Sequence, residues 1–269
     1  MAVHVEPTAV VDPRAELDDE VQVGPLCVIG PHVRIGRGTQ LVNSVTILGR
    51  VTIGQHNRIF PGAVIGAEPQ DISYRGSDTQ VVIGDHNVIR EGVTINRGTE
   101  KEEGLTTVGN RCFIMAGCHI AHDCRIGDRV IMANATLLGG HVHVHDDAIL
   151  SGGVAVHHFA TIGSFSFTGG LSRVLHDVPP YMLAEGNPSR PRCINLVALK
   201  RHHFSAEEIR ALAEAHRLLY RAHLGLDAAR EQLRAEKLLL PPVLYLLDFL
   251  QHQHQGRHGR ARDRRRLAA

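Results

Sequence analysis

The stretch Cys112-Phe113-Ile114-Met115-Ala116-Gly117-Cys118-His119-Ile120-Ala121-His122-Asp123-Cys124-Arg125-Ile126 returns to the same chemistry every six residues, with a cysteine, one variable residue, an aliphatic residue and three residues that turn. The aliphatic position continues on both sides of it. Upstream it falls on Val23, Ile29, Ile35, Leu41, Ile47, Ile53, Ile59 and Ile65, then on Ile83, Ile89, Ile95 and Val108; downstream it runs from Met132 through Leu138, Val144, Leu150 and Val156 to Ile162. A helix cannot keep one face at a period of six, and ordinary hairpins do not hold one register through so many repeats. Short strands joined by tight corners can, with each hexad forming one flat side of a coil and its aliphatic residue pointing inward. Glycine often follows at once, as in Ile29-Gly30, Ile35-Gly36 and Ile53-Gly54.

Composition agrees with a solenoid. Of 269 residues 43% are hydrophobic, yet only 4% are aromatic, none is Trp, and 27 are Gly, so the core must be aliphatic and regularly stacked. The formal charge of +1 gives no general basic field and so no sign of nucleic acid. Acidic residues interrupt Met1 to Val23, which argues against a secretory signal. Leu238 to Leu247 is too short for a membrane span, so a cytoplasmic protein with no membrane span is expected. Five Cys make an odd count for a disulfide framework. Cys112, Cys118 and Cys124 sit where small apolar side chains would fill the coil interior, and core packing is preferred for them over a metal site.

Two interruptions break the hexads, near 67-81 and near 99-107. Loops that leave a regular solenoid are often functional, and tolerated surface insertions are the alternative. The repeat fades after Val174, and Pro179-Pro180 should stop strand pairing because proline donates no backbone hydrogen bond. Ser205-Ala206-Glu207-Glu208 reads as a capping box, with further helices expected over 226–239 and 242–252. The reading is therefore mainly β: a parallel β-helix of hexapeptide repeats over 1-187, a small C-terminal α-helical domain over 188-255, and an Arg-rich, disordered tail over 256-269.

With three hexads to a coil, residues 18 apart stack at about one strand spacing, 4.7–4.9 Å. His122 then lies under Gly140, beside His141, and the next coil brings His157 and His158, so a column of histidines runs along one edge. Imidazole is the side chain suited to proton abstraction near neutrality, and Asp123 could orient it. A peptide N–H with no side chain in front of it, as at Gly140, can approach a developing oxyanion. No Ser or Cys stands out as a nucleophile, so the set suits acyl transfer by direct attack. Zinc between subunits is the competing reading of such a column, but the three-ligand pattern of the γ-class carbonic anhydrases is missing. No metal and no cofactor is expected.

Hexads of this kind resemble the hexapeptide-repeat acyltransferases, which implies a left-handed helix. Together with Gly139-Gly140-His141, Ala155-Val156-His157, Asp177-Val178-Pro179-Pro180-Tyr181, Glu185-Gly186-Asn187 and Leu199-Lys200-Arg201, the stretch His119 to Cys124 is similar to the UDP-N-acetylglucosamine O-acyltransferase family, from Val3 to about residue 225. The resemblance implies a homotrimer with sites between subunits. It also implies transfer of a 3-hydroxyacyl chain from acyl carrier protein to the 3-OH of UDP-N-acetylglucosamine, the first step of lipid A synthesis. Carried over by position, His122 is the general base, Asp123 its orienting partner and Gly140 the oxyanion donor. Gln70 and Asp71 contact sugar and acyl chain; His119, His141 and His157 position substrate; Asn195 and Arg201 meet the uridine-diphosphate end; and Gly170 leaves the acyl groove open to a longer chain. Arg201 fits independently, since a diphosphate favours a guanidinium.

Three positions depart from the family pattern. Ser73 stands where Lys is common, Val197 replaces a Glu near the nucleotide, and His158 replaces a Gln. Some relatives use a 3-amino sugar, and the choice stays open here. So does a non-catalytic binding module on the same β-helix, for which the Arg-rich tail is the motive. That tail or the helices could instead attract acidic acyl carrier protein.

Overall fold

The computed structural model describes residues 2–255; the Arg-rich segment 256–269 lies outside them. Successive hexads feed three sheets in rotation, so that sheets of 11, 9 and 8 strands wrap into a left-handed parallel β-helix. Most strands are only two residues long, because the remaining four of each hexad turn the corner. Partners in neighbouring coils are 18 apart, as in His119↔Leu137 and Ile120↔Leu138. Across the first interruption the offset is 30, Arg58↔Val88, and across the second it is 25, Thr94↔His119. Both insertions leave the inward register intact, since Ile65 still faces Ile95 and Ile95 still faces Ile120. The first excursion runs between strands Val64–Ala67 and Gln80–Ile83, the second between Thr94–Asn96 and Leu105–Val108.

The interior is a stack of aliphatic layers. Ile29, Ile47, Ile65, Ile95, Ile120 and Leu138 are all buried in one continuous cluster, each burial contributing about 1.5–3 kcal/mol. The corner cysteines fill the positions between layers. The thiols of Cys112, Cys118 and Cys124 donate to the carbonyls of Gly127, Ala133 and Gly139 at 3.1, 3.1 and 3.2 Å. Burial pushes the Cys112 thiol up to about 11, which keeps it protonated and inert. Thr39 and Thr136 make the equivalent bond with a hydroxyl, to Gly54 at 2.9 Å and Ser151 at 3.1 Å.

The prolines do not end pairing as expected. Only their own nitrogens lack a proton, and Val178 N still donates to Thr161 O at 2.9 Å, bridging Val178 to Ile162. Met182–Gly186 then rejoins the 11-stranded sheet beside Phe167–Thr168 and folds back antiparallel on Ser189–Ile194. Residue 187 therefore lies in the turn of this hairpin. Four helices follow: α1 (Leu196–Arg201), α2 (Ala206–His216), α3 (Leu226–Ala235) and α4 (Pro241–His254). The Ser205 capping box is formed. The α3 helix stops short of 239 because Lys237 turns left-handed at φ 57° and Leu238 N donates back to Leu233 O at 2.8 Å, and α4 starts on Pro241, whose missing N–H costs nothing in a first turn. A π-helical turn, Arg217–Arg221, extends α2 and has no counterpart in the sequence reading. A second core, including Tyr181, Leu199, Leu212 and Leu246, holds this unit together.

Candidate active site

Each coil has three corners, and at one of them the second turn residue is successively Asp123, His141 and Phe159, with φ of 59°, 63° and 65°. Left-handed backbone is tolerated best by Asp, Asn and His among residues with a side chain. This corner column carries the chemistry. At its base the Asp123 carboxylate is buried and accepts three hydrogen bonds: from Thr99 N at 2.9 Å, from the Thr99 hydroxyl at 2.6 Å and from His122 Nδ1 at 2.9 Å. Burial alone would raise its pKa, but the bonds from His122 and Thr99 outweigh it and hold the carboxyl below the usual range. An ionised Asp123 can only accept, so the Nδ1–H of His122 donates to it and keeps its proton. The other ring nitrogen, Nε2, is left with its lone pair and points away from the core.

Gly140 lies against the face of that ring. A Cβ added there would come within 2.4 Å of His122 Cε1 and 2.6 Å of Nε2, so no other residue leaves the imidazole where it is. Among the described residues the Gly140 N–H has no acceptor. It is therefore available beside the base, as the arithmetic of 18 anticipates. His141 packs edge-on to His122 with ring centroids 5.1 Å apart and stacks flat on Phe159 at 4.3 Å. Its Nε2 is 3.8 Å from Asp123 Oδ2 and its Nδ1 is 3.2 Å from Glu102 Oε1.

From the first loop Asp71 reaches the open side of the base, its Oδ2 lying 3.9 Å from His122 Nε2. Although burial works against it, the Lys101 ammonium and the N–H and hydroxyl of Ser73 hold the Asp71 carboxyl well below the usual carboxylate range. His119 stands on the adjoining strand, its Nδ1 2.7 Å from the Thr94 hydroxyl. His157 and His158 sit one coil further on with ring centroids 3.8 Å apart, and His157 Nδ1 donates to His158 O. The structure thus brings His122, Asp123, Gly140, His141 and Asp71 together. Gln70 and Arg201 are exposed at the surface. Asn195 spends its amide on the fold, donating to Phe165 O at 2.9 Å and capping α1 through Ala198 N. Thr99, Lys101, Glu102 and Phe159 escaped the sequence reading; only the break in the repeat at 99-107 hinted at the first three.

Among the described residues, one group of three or more His, Cys, Asp or Glu side chains has metal-ligand spacing: His122, Asp123 and His141, with candidate atoms within 4.8 Å of one another. Both Asp123 oxygens already accept hydrogen bonds, which suits the group to orienting an imidazole.

Burial, and then the charge of His122, lowers the His119 pKa. A depressed histidine refuses a proton that the unfolded chain accepts at about 6.5. The stability it contributes is fully present above that pH and is lost as pH falls through the folded value. His119→Gln is expected to make the drop in melting temperature between about pH 7.5 and 5.5 shallower, by roughly 1–2 °C. An unchanged slope would contradict the burial of a neutral ring.

The hexapeptide β-helix places the chain among the hexapeptide transferases, and residues 105–140 match the bacterial transferase hexapeptide model. Residues 177–259 match the model described as UDP N-acetylglucosamine O-acyltransferase, domain 2. The acyl-[acyl-carrier-protein]–UDP-N-acetylglucosamine O-acyltransferase of Gloeothece citriformis is 49% identical over 80% of this chain and 77% of its own. That of Syntrophobacter fumaroxidans is 46% identical over 94% and 99%. A crystal structure of a UDP-N-acetylglucosamine acyltransferase from Bacteroides fragilis superposes with a TM-score of 0.88 at 37% identity, covering 92% of this chain and 96% of that one. The chain belongs to the UDP-N-acetylglucosamine O-acyltransferase family.

Proposed function

We propose that this protein transfers a 3-hydroxyacyl chain from acyl carrier protein to the 3-OH of UDP-N-acetylglucosamine, the first step of lipid A synthesis, in the cytoplasm. The observation that carries the reading is the His122 ring, fixed between Asp123 and Gly140 with Nε2 facing outward. Nε2 takes the proton of the sugar hydroxyl as its oxygen attacks the thioester carbonyl. Charge develops on the carbonyl oxygen, where the Gly140 N–H stabilises it; collapse forms the ester and expels the carrier thiolate, which is protonated as His122 returns to neutral. Asp123 keeps the ring in one tautomer and stabilises its charged form. Held together in this way, the two substrates need no covalent acyl-enzyme.

Asp71 and Gln70 meet the sugar and acyl chain, His119, His141 and His157 position them, and Arg201 serves the nucleotide end from the short helix α1 that Asn195 caps. The working unit is a homotrimer. Support comes from the outer face of the nine-stranded sheet, where Val10, Val28, Thr46, Val64, Thr94, His119, Leu137 and Ala155 follow one another in register. Val10, Val28 and Leu137 are exposed in the single chain. A second copy packed on this face would cover them and stand next to His119.

Gly170 is the acyl ruler. It is exposed, and a Cβ there would meet nothing nearer than Gly152 O at 3.4 Å, so a side chain fits without distorting the coil. Incubating the protein with UDP-N-acetylglucosamine, or its 3-amino counterpart, and 3-hydroxyacyl carrier proteins of graded length tests the reading by product mass. Gly170→Met is expected to cut kcat/KM for the longest favoured chain by roughly tenfold or more while sparing shorter ones. A uniform effect across the series would remove Gly170 from the groove, and an absence of product with every donor and both sugars would favour a binding module.

A further inference from the structure

Four consecutive residues of the second loop are engaged around the site, three with site residues and one with the first loop. Thr99 binds Asp123 through its N–H and hydroxyl. Glu100 accepts the N–H of Arg75 at 2.8 Å, tying this loop to the first one. Lys101 ion-pairs with Asp71, which faces the bare nitrogen of His122. Glu102 lies 3.2 Å from Nδ1 of His141, the ring packed edge-on to His122. Loop residues that merely cross a surface have no reason to spend four successive side chains in this way, three on site residues and one on the first loop.

We propose that residues 99–102 form a brace in which Lys101 and Glu102 are positioning residues for the transfer reaction, Lys101 acting through Asp71 and Glu102 through His141. This rests on the acyl-transfer reading. Asp71 and Asp123 are two carboxylates on either side of one imidazole. Without a cation, Asp71 would stand as an unpaired charge in a part-buried place and would repel the sugar diphosphate or swing toward water. The Lys101 ammonium neutralises it and fixes its direction, so that an acceptor hydroxyl held by Asp71 arrives at His122 Nε2. Ser73 supplies Asp71 with an N–H and a hydroxyl at 2.9 and 2.8 Å but no charge. The charge comes from the neighbouring loop instead. Glu102 does the corresponding work for His141, setting the ring plane that Phe159 and His122 pack against.

The test uses the full chain. Lys101→Met is expected to lower kcat about tenfold and to raise KM for the UDP-sugar while leaving KM for the acyl carrier protein near its normal value, and Lys101→Arg should recover most of the loss. Unchanged kinetic constants in Lys101→Met, or failure of Lys101→Arg to do better than Met, would overturn the proposal. An activity-independent readout accompanies it: the imidazole Cε1 resonances of carbon-13-labelled histidine, assigned with His122→Ala and His141→Ala. Lys101→Met should shift the His122 resonance and Glu102→Gln that of His141, with melting temperatures close to the parent. Resonances that stay in place overturn the brace. If the parent protein shows no transfer at all, the acyl-transfer reading fails on its own, and the resonances still decide whether the brace exists.

Discussion

His122→Ala is expected to lower kcat/KM by about a thousandfold, within the range in which a positioned general base accelerates proton transfer. The loss should fall on kcat. His122 contributes no part of the aliphatic core, and Asp123 keeps its two bonds from Thr99 when the ring is gone, so the β-helix should survive. Substrate affinity should change little, because Asp71, His119 and His141 remain. A variant that folds and retains near-parental kcat would show that another group removes the proton, and the Asp123–His122 pair would then be structural.

Gly140→Ala carries the second large effect, about a hundredfold on kcat, for a reason unrelated to the loss of any functional group. A methyl at this position collides with the His122 ring, whose nearest atoms would be 2.4 and 2.6 Å away, and so displaces the proposed base while standing in front of the N–H proposed to meet the oxyanion. Gly170→Ala is the control. There the added carbon meets only Gly152 O at 3.4 Å and Ser151 Oγ at 3.6 Å, and turnover with short chains should be close to that of the parent. Equal kinetics for the two alanine variants would mean that Gly140 acts as an ordinary corner residue.

The part of the fold that repeats was readable because a period of six converts sequence distance into space. Adding 18 to His122 reaches Gly140, and the structure has these two residues in contact. The same arithmetic links Asp123, His141 and Phe159, although the flat stack of Phe159 on His141 depends on a left-handed corner conformation that composition does not announce. The cysteines were readable as filling, since their positions repeat with the aliphatic ones and their thiols all find a carbonyl fifteen residues on.

What escaped is what lacks a period. Thr99, Lys101 and Glu102 lie in an excursion whose path follows no rule of spacing, so their contacts with Asp123, Asp71 and His141 emerge only in three dimensions. Asn195 illustrates the opposite difficulty. Its match to a family position suggests the nucleotide, yet its amide is engaged by Phe165 O and by the first turn of α1, a helix-capping role that Asn performs well and that a single sequence does not separate from ligand contact. The hairpin of Met182–Gly186 with Ser189–Ile194 was hidden by Pro179 and Pro180, which suggested an end to pairing where the chain only turns.

The central claim is that the sugar hydroxyl attacks the thioester directly, with His122 as base and no acyl group passing through the protein. Mass spectrometry of a rapidly quenched mixture of the protein, UDP-N-acetylglucosamine and a 3-hydroxyacyl carrier protein reads both partners at once. The account predicts that the sugar gains the 3-hydroxyacyl group from the earliest times while the protein mass stays unchanged; an acylated protein, or a sugar that never gains mass, would contradict it.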